Sequence, residues 1–377
     1  MRHEIAARTG VERLPARQGS PAKEFWDWLD ERLGLQALAY PVPAHANSIL
    51  YTLGGITLAG FAVLVATGVY MAQFYHPHPA DARESIAYFT TQAQFGSFVR
   101  SVHFWTANLV VITASLHMLR VFFTASYKRP REVNWLIGVG LVTMAMALFF
   151  TGTVLKWDQE AYEALAHNEA VAKTLGSLGS FATGEFARSV PLLTRLYVVH
   201  VSILPALLGL LLLLHLFLVK HHGISPLPGQ REMKAQVVGR GGGSTGAAPV
   251  PTSTFNLHLR KMLGYGLLLT AMAAILALAL PAALGPTATP GMEVTKPPWL
   301  FWWLYAFENW FGIKALFWGA VAVPLLLALV PFFDRSPSRK PTERRWFIGA
   351  AAVAIAALVS LTIYVALSPV AQHIGGE

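Results

Sequence analysis

The sequence predicts an all-α integral membrane protein with seven transmembrane helices, and three observations support this fold class. Of the 377 residues, 54% are hydrophobic and only 13% are charged, whereas soluble domains carry about 25% charged residues. The mean hydropathy is +0.47. Apolar runs long enough to cross a bilayer, about 20 residues each, occur seven times. This composition excludes a disordered chain, a coiled coil and almost any soluble enzyme.

The expected spans follow one another along the whole chain after a polar N-terminal segment, residues 1–48. They lie at about 49–74, 101–124, 134–155, 194–219, 263–284, 314–333 and 345–367. Residues 1–48 are too long and too polar for a signal peptide. Within them, Phe25, Trp28, Leu29 and Leu33 recur at helical spacing among charged residues. This pattern predicts an amphipathic helix on the membrane surface, and an ordinary soluble helix is the alternative.

The distribution of basic residues predicts the orientation of the chain. Seven crossings place the N-terminal segment and the loops after the second, fourth and sixth spans on one side of the membrane. That side carries 20 of the 29 Lys and Arg residues. Cytoplasmic loops carry the excess of positive charge. We therefore expect a bacterial inner-membrane protein with a cytoplasmic N-terminus and a periplasmic C-terminus. The net charge of +9 then reflects this asymmetry and not a nucleic-acid partner.

Two loops stand out. The loop at 156–193 has apolar residues at helical spacing, which predicts one or two short interfacial helices. Residues 239–250 are rich in Gly, Ala and Ser, which is typical of a flexible linker. The expected domains are therefore the N-terminal segment 1–48, a four-helix unit at 49–222, a linker at 223–254 and a three-helix unit at 255–377.

Four histidines lie inside predicted spans, where polar side chains are costly and usually functional. His103 and His117 are 14 residues apart in the second span, and His200 and His215 are 15 apart in the fourth. Fourteen residues make about four helical turns, or roughly 21 Å, so both histidines of a span face one way. The two spans run in the same direction, which places the four histidines at two levels. Two facing pairs are what two bis-histidine haems require. Four hydrogen-bonded core histidines are the alternative, and a zinc site lacks the further ligands it needs.

Glycines and arginines in the same region fit this interpretation. Gly54 and Gly68 in the first span, and Gly138 and Gly152 in the third, repeat the 14-residue spacing. A glycine at each level would let a flat porphyrin approach the backbone, although glycine also serves helix packing. Arg100 and Arg120 flank the histidines of the second span. They are placed to bind haem propionates, with interfacial snorkelling as the alternative.

The absence of cysteine limits the redox chemistry of the chain. With no Cys, it can form no disulfide, iron–sulfur cluster or covalent c-type haem. Any such carriers must belong to other chains.

Several runs around these residues match one family. They are Arg100-Ser-Val-His103, Leu116-His117-Met-Leu-Arg120, Lys128-Arg-Pro-Arg-Glu132, Thr194-Arg-Leu-Tyr-Val-Val-His200, Pro205, and His215 with Gly223-Ile-Ser225. The chain resembles the cytochrome b of quinol-oxidising Rieske/cytochrome b (bc and bf) complexes. The bf type is the most similar, because it shares the 15-residue histidine spacing. This resemblance covers residues 24–228, and residues 254–367 are similar to the three-helix subunit four of bf complexes.

The resemblance implies two non-covalent haem b groups, with His103 and His200 on the outer iron and His117 and His215 on the inner one. It also implies an outer quinol-oxidation site and an inner quinone-reduction site. The outer site would use Trp157 and the residues around Pro297, Trp299 and Tyr305, and the inner site Lys220 and His221.

The sequence departs from the family pattern at three positions. The family motif Pro-Glu-Trp-Tyr reads Pro297-Pro298-Trp299-Leu300, so the glutamate expected to take the quinol proton is missing. Lys156 stands where a proline precedes Trp157, and Thr52 replaces the cysteine that anchors an extra covalent haem in bf complexes.

Other carboxylates could replace the missing glutamate. Glu308 and Asp158 are the candidate catalytic residues, because quinol oxidation releases two protons and needs a base. Glu160 and Glu185 are further external carboxylates, and each of these acids could instead be a solvated loop charge. The aromatic cluster at 299–310 is either part of a quinone pocket or an interfacial belt.

Three functions follow from these observations. The first is a dihaem subunit of a quinol–cytochrome c or quinol–plastocyanin type oxidoreductase. It would have a Rieske-type iron–sulfur protein and a c-type cytochrome or other external carrier as partners, and the resemblance implies a homodimer. The second is a haem b conduit that links a periplasmic oxidoreductase to the quinone pool without splitting electrons at the outer site. The third, a transporter or membrane scaffold, fits the paired histidines poorly.

Overall fold

The computed structural model describes residues 20–34, 38–229 and 251–373. Within them, seven helices are long and apolar enough to cross a membrane, so the predicted number of spans is confirmed. They are α2 (Ile49–Ala72), α4 (Gly96–Phe123), α5 (Glu132–Val154), α7 (Leu192–His222), α8 (Phe255–Ala279), α10 (Lys314–Phe333) and α11 (Arg345–Leu367). The remaining helices of eight or more residues are α1 (Pro21–Leu33), α3 (Ala82–Thr91), α6 (Gln159–Thr174) and α9 (Trp302–Phe311).

Two of the shorter helices were predicted and two were not. α1 is the amphipathic helix, and Phe25, Trp28 and Leu33 are exposed on it. α6 is the helix expected in the loop at 156–193, and the Asp158 carboxylate caps it by accepting from the Ala161 N–H at 3.1 Å. α3 and α9 were missed because neither is long enough to produce a spanning hydropathy signal. α9 holds most of the aromatic cluster.

The start of α8 differs from its predicted position by eight residues. The helix begins at Phe255 because Thr254 caps it, its hydroxyl oxygen accepting from the Leu257 N–H. The first two turns carry His258, Arg260 and Lys261. Such polar turns have low hydropathy and resemble a loop. The start of the span was therefore predicted too late in the sequence.

α7 contains a π-helical turn at Val199–Ile203, around His200. Pro205 follows directly and has no N–H to donate to the carbonyl four residues earlier, which loosens the helical hydrogen bonding. A π-turn accommodates one extra residue. The 15-residue spacing of His200 and His215 therefore spans the same number of turns as the 14-residue spacing in α4.

The helices α2, α4, α5 and α7 form the bundle that carries the four histidines. α8 packs directly on α2 and α4 through small residues. A Cβ on Gly60 of α2 would lie 3.5 Å from Leu269 Cδ2 of α8, and one on Gly266 of α8 would lie 2.6 Å from Ala59 Cβ of α2. α10 packs on α5, where Trp135 Nε1 donates to the Leu327 carbonyl at 2.6 Å. The two units expected from the sequence are therefore packed together.

Two short strands also join the units. β1 (Pro41–Pro43) pairs antiparallel with β2 (Thr252–Thr254), with Pro41 opposite Thr254. The end of the predicted linker is thus held against the segment before α2. The glycine-rich part of that linker, 239–250, lies outside the described residues, as do residues 1–19 of the N-terminal segment.

A buried ionic network connects the loop after α4 to α10 and α11. The Asp334 carboxylate accepts from Arg344 Nε at 2.7 Å, from Lys128 Nζ at 3.1 Å and from the Tyr127 hydroxyl. The side chains of Arg344 and Asp334 are 0% and 3% exposed. Removing one partner of such a pair leaves an uncompensated buried charge.

We expect Asp334→Ala to lower the free energy of unfolding by about 3 kcal/mol, because it leaves Arg344 buried without its carboxylate. Denaturant unfolding of the purified complex in detergent measures this. The exposed Asp81→Ala is the control and should change stability by less than about 0.5 kcal/mol. Equal stability of the two variants would show that the network contributes nothing.

Candidate functional site

The bundle brings the four intramembrane histidines together as two pairs, one at each end. His117 and His215 have ring centroids 6.5 Å apart. This separation is compatible with a metal ion bound between the two rings, since a metal–nitrogen bond is about 2.0–2.1 Å long. We call the end with His103 and His200 the outer end, and the end with His117 and His215 the inner end.

Two threonines fix the tautomers of the outer histidines. Thr67 Oγ1 lies 2.8 Å from His103 Nδ1, and Thr151 Oγ1 lies 2.9 Å from His200 Nδ1. Each hydroxyl donates its own hydrogen to a backbone carbonyl one turn earlier, so its oxygen accepts from the histidine. Nδ1 therefore carries the proton and Nε2 keeps a lone pair for a metal. In the sequence, this arrangement appears only as a Thr-Gly pair in each of the two helices that carry the threonines.

Each of the four glycines lies beside one histidine ring. A Cβ on Gly54 would lie 3.1 Å from His117 Cε1, and one on Gly152 would lie 3.0 Å from His200 Cε1. On Gly68 it would lie 3.5 Å from His103, and on Gly138 3.8 Å from His215. α2 thus faces the histidines of α4, and α5 faces those of α7. The missing side chains leave room beside every imidazole, as a planar ligand requires.

The two arginines of α4 have different surroundings. Arg120 lies over the Tyr51 ring, with Cζ 4.5 Å from its centroid, and its Nε is buried with no hydrogen-bond partner among the described residues. A buried donor of this kind fits a carboxylate of a bound group, such as a haem propionate. Arg100 instead donates to the carbonyls of Ala282 and Ala283, after α8. The paired histidines, the glycines and Arg120 together fit the chemistry of two haems.

We expect Gly152→Leu to remove the outer haem, because its side chain would enter the space next to His200. The haem content per chain, from the reduced-minus-oxidised spectrum, should fall from two to one. Gly209→Leu is the control, since a Cβ there meets nothing within 4 Å. A content of two haems per chain in the Gly152→Leu protein would show that no haem lies beside Gly152.

A cavity of about 390 Å³ opens at the outer end between α5, α6, α9, α10 and the segment before α9. Its walls from α5 and α10 are apolar, with Met146, Phe150 and Phe317 among them. The opposite wall carries Glu308 and His167. An apolar slot with polar groups at one end suits a ring with hydroxyl groups.

The predicted outer-site residues divide between this cavity and its surroundings. Pro297, Tyr305 and Glu308 border it, so part of the aromatic segment does line a pocket. Trp299 lies outside and donates from Nε1 to Asn108 Oδ1 at 2.6 Å. Trp157 packs in an apolar cluster with Val154 and Leu165.

The contacts of Asp158 favour a positioning role over the catalytic role predicted for it. Besides capping α6, it accepts from the Gly285 N–H at 2.9 Å and lies 3.3 Å from Lys156 Nζ. It is 1% exposed. The catalytic role of Asp158 remains a prediction, but its oxygens already bind backbone and lysine. Lys156 is thereby accounted for as the ion-pair partner of Asp158 and Glu160.

Glu308 lies at the centre of a buried group of acids and histidines. It is 2% exposed, and its Oε1 lies 3.2 Å from His167 Nε2. Burial lowers the pKa of His167, but the adjacent Glu308 carboxylate, the Glu163 carbonyl and the charge of Glu293 together raise it overall. The ligand atoms of His167, Glu293 and His373 all lie within 4.8 Å of one another.

Sequence reasoning missed four members of this region: Glu163, His167, Glu293 and His373. Glu163 accepts from the Val294 N–H at 2.8 Å and from the Thr295 N–H at 3.2 Å, and so holds the segment before α9 against α6. The only available signal was the four-residue spacing of Glu163 and His167, which places both on one face of a helix. Nothing in the sequence connects His373 to this place.

At the inner end, Lys220 and His221 lie in the last turn of α7 and are exposed. The His221 ring stacks on Phe217 with centroids 5.9 Å apart. The inner quinone site stays a prediction.

Comparisons with known proteins agree with this architecture. Residues 37–223 match the family model described as Cytochrome b/b6/petB. Over 209 residues, the chain is 39% identical to cytochrome b6 of Heliobacterium mobile, which covers 53% of this chain and 98% of that protein. Cytochrome b6 of Heliomicrobium gestii is 38% identical over 208 residues, covering 52% and 98% of the two chains. The chain belongs to the cytochrome b/b6 family.

A solved structure extends the likeness to the back half. This cytochrome b is similar to a chain of a hyperthermophilic respiratory complex III, with a TM-score of 0.76, 24% identity and 91% of each chain covered. The b6 relatives match about half of this chain, and the fold of the complex III chain extends over nearly all of it. The cytochrome b is therefore of the bf type, as the sequence predicted, and its back half shares the fold of the complex III chain. It is an integral membrane protein.

Proposed function

We propose that this cytochrome b is the dihaem membrane subunit of a quinol oxidoreductase that oxidises quinol in the outer cavity. One observation carries the proposal: Glu308, the buried carboxylate beside His167, borders a 390 Å³ apolar cavity at the same end as His103 and His200. A base, a slot for a ring and an electron acceptor site are thereby adjacent. Quinol oxidation requires all three.

The residues of the chain divide the work in this proposal. The apolar walls from α5 and α10 exclude water and orient the ring. Glu308 accepts a hydroxyl proton in place of the absent motif glutamate. Glu163 holds the wall in place, and burial raises the pKa of Tyr305 so that it stays neutral beside the acids. Haem b, when bound by the histidine pairs, accepts and passes single electrons.

The finer parts of the assignment are inferences from family and sequence. His103 with His200 and His117 with His215 are the proposed haem ligand pairs, and Lys220 and His221 the inner quinone site. The proposed partners are a Rieske-type iron–sulfur protein and a c-type cytochrome or another external carrier, in a homodimeric complex. The proposed orientation has a cytoplasmic N-terminus in a bacterial inner membrane.

A second function is a haem b conduit with no splitting of electrons at the outer cavity. The observation that favours it is Pro298, which stands where the family has its catalytic glutamate. The partner would then be a periplasmic oxidoreductase.

Oxidant-induced haem reduction separates the two functions. The purified complex is supplied with quinol, the inner site is blocked, and the absorbance of haem b is followed after a pulse of oxidant. We expect haem b to become reduced, because one electron of each quinol goes to the oxidant and the other to haem. Oxidation of haem b alone would replace the first function by the conduit.

A further inference from the structure

The proposed acceptor Glu308 belongs to a group of four side chains that lie on four separate parts of the chain. His167 comes from α6, Glu308 from α9, Glu293 from the segment before α9, and His373 from the tail after α11. His167 Nε2 lies 3.2 Å from Glu308 Oε1, and His373 Nδ1 lies 3.4 Å from Glu293 Oε2. The two cross distances, His167 to Glu293 and His373 to Glu308, are both 3.9 Å.

The outer contacts of the two imidazoles fix their tautomers. His167 Nδ1 lies 2.8 Å from the Glu163 carbonyl oxygen, which can only accept, so Nδ1 carries the hydrogen. His373 Nε2 lies 2.8 Å from the Asn309 side-chain oxygen and is protonated for the same reason. His167 Nε2 and His373 Nδ1 are therefore bare acceptors, and both point at carboxylate oxygens.

In this group, imidazole nitrogens that can only accept therefore face carboxylate oxygens that can only accept. His167 Nε2, His373 Nδ1 and Glu308 Oε1 are all buried with no hydrogen-bond partner among the described residues. Buried polar atoms left in this way are costly. One proton placed between His167 and Glu308, and one between His373 and Glu293, would turn both close pairs into charge-assisted hydrogen bonds.

We propose that these four side chains form a two-proton acceptor for the outer cavity, and that the C-terminal tail, through His373, is part of the quinol site. Oxidation of one quinol to quinone releases two protons and two electrons. The first proton passes from a quinol hydroxyl to Glu308 and on to His167 Nε2. The second proton also passes to Glu308 and is then held between His373 Nδ1 and Glu293. The two electrons would leave singly, one to haem b if the histidine pairs hold it and one to an external one-electron acceptor.

The tail is fixed in the position that this role requires. Gln372 bonds to Glu293 through both the main-chain N–H and the carbonyl of that residue. The His373 N–H lies 3.1 and 3.0 Å from the two Glu293 carboxylate oxygens. The Tyr305 hydroxyl accepts from the Ala371 N–H at 2.8 Å. These contacts place the His373 ring edge-on to Tyr305, with centroids 5.1 Å apart.

The raised pKa of His167 agrees with this role, because it makes Nε2 a stronger proton acceptor than that of an ordinary imidazole. The ionisable groups that face it are Glu163 from its own helix, Glu293, Glu308 and His373. The Glu308 and Glu293 carboxylates favour the protonated ring, and so does the backbone carbonyl of Glu163. We therefore expect the rate of quinol oxidation to fall as the pH drops through this pKa, because His167 Nε2 is then already protonated and cannot accept a proton from quinol.

The test measures quinol oxidation by the purified complex as a function of pH in the variants His167→Gln, His373→Gln and His373→Ala. Each should lower kcat by about tenfold and change KM by less than about twofold. Each should also move the acid limb of the pH profile. Added imidazole should restore at least half of the lost rate in His373→Ala. The exposed His76→Gln is the matched control on the outer side and should leave rate and profile unchanged.

This inference rests on the proposed role of Glu308, and the outcomes keep the two apart. If Glu308→Gln is slow but the histidine variants, with two haems per chain, keep the wild-type rate and profile, the two-proton acceptor is wrong and the proposed function stands. If Glu308→Gln is as fast as wild type, the proposed acceptor itself fails. A stoichiometric metal ion in the purified complex, lost in His373→Ala, would also overturn the inference, since the four groups would then be ligands.

Discussion

Replacing His200 by alanine is expected to remove the outer haem and leave the inner one, and to abolish electron transfer from quinol to haem b. His200 lies opposite Gly152 and is held by Thr151, away from the inner pair. The reduced spectrum should show one b haem per chain in place of two. The rate of quinol-driven haem reduction should fall by at least about a hundredfold, because the electron acceptor next to the cavity is gone.

His103→Ala should give the same result, because His103 is the proposed second ligand of the same iron. The matched variant is His215→Ala, which should remove the inner haem and leave the outer one reducible by quinol. A spectrum with two b haems in either His103→Ala or His200→Ala would show that the assignment of histidine pairs is wrong.

Glu308→Gln is expected to slow quinol oxidation by at least about tenfold, because glutamine keeps the size of the side chain and removes the base. Haem content and thermal stability should stay at the wild-type level. The measurement is steady-state quinol oxidation with an artificial one-electron acceptor. The effect should lie mainly in kcat, since glutamine can still hydrogen-bond a quinol hydroxyl.

Glu185→Gln is the matched control for this variant. Glu185 is a further external carboxylate in the sequence, but it is exposed and lies outside the cavity. Its replacement should change the rate by less than about twofold. A full rate in Glu308→Gln would remove Glu308 from the site, and a slow Glu185→Gln protein would move the site to the 176–190 segment.

The membrane architecture could be predicted from the sequence because it depends on local composition. Each span is a run of apolar residues, and the bilayer fixes how long such a run must be. Boundaries were less secure where polar residues lie inside a helix, as in the first turns of α8. Short connecting helices such as α9 give no spanning signal, so the sequence showed their aromatic residues but not their form.

The histidine pairs were also predictable, because a helix converts spacing into position. The 15-residue spacing in α7 is a family feature that the periodicity of a regular helix does not explain. The π-turn at Val199–Ile203 supplies one, since it absorbs the extra residue and returns His200 to the level of His103.

The sequence by itself determined the fold class, the seven spans, the four histidines and their four glycines, and the candidate Glu308. Each of these follows from the periodicity, the composition or a motif of one continuous stretch of the chain. Only the tertiary structure decided that Asp158 caps a helix, that Glu308 faces the cavity, and that His167, Glu293 and His373 surround it. The reason is physical: these contacts join residues up to 141 positions apart, as His167 and Glu308 are, and no local pattern encodes where an acid meets a histidine across helices.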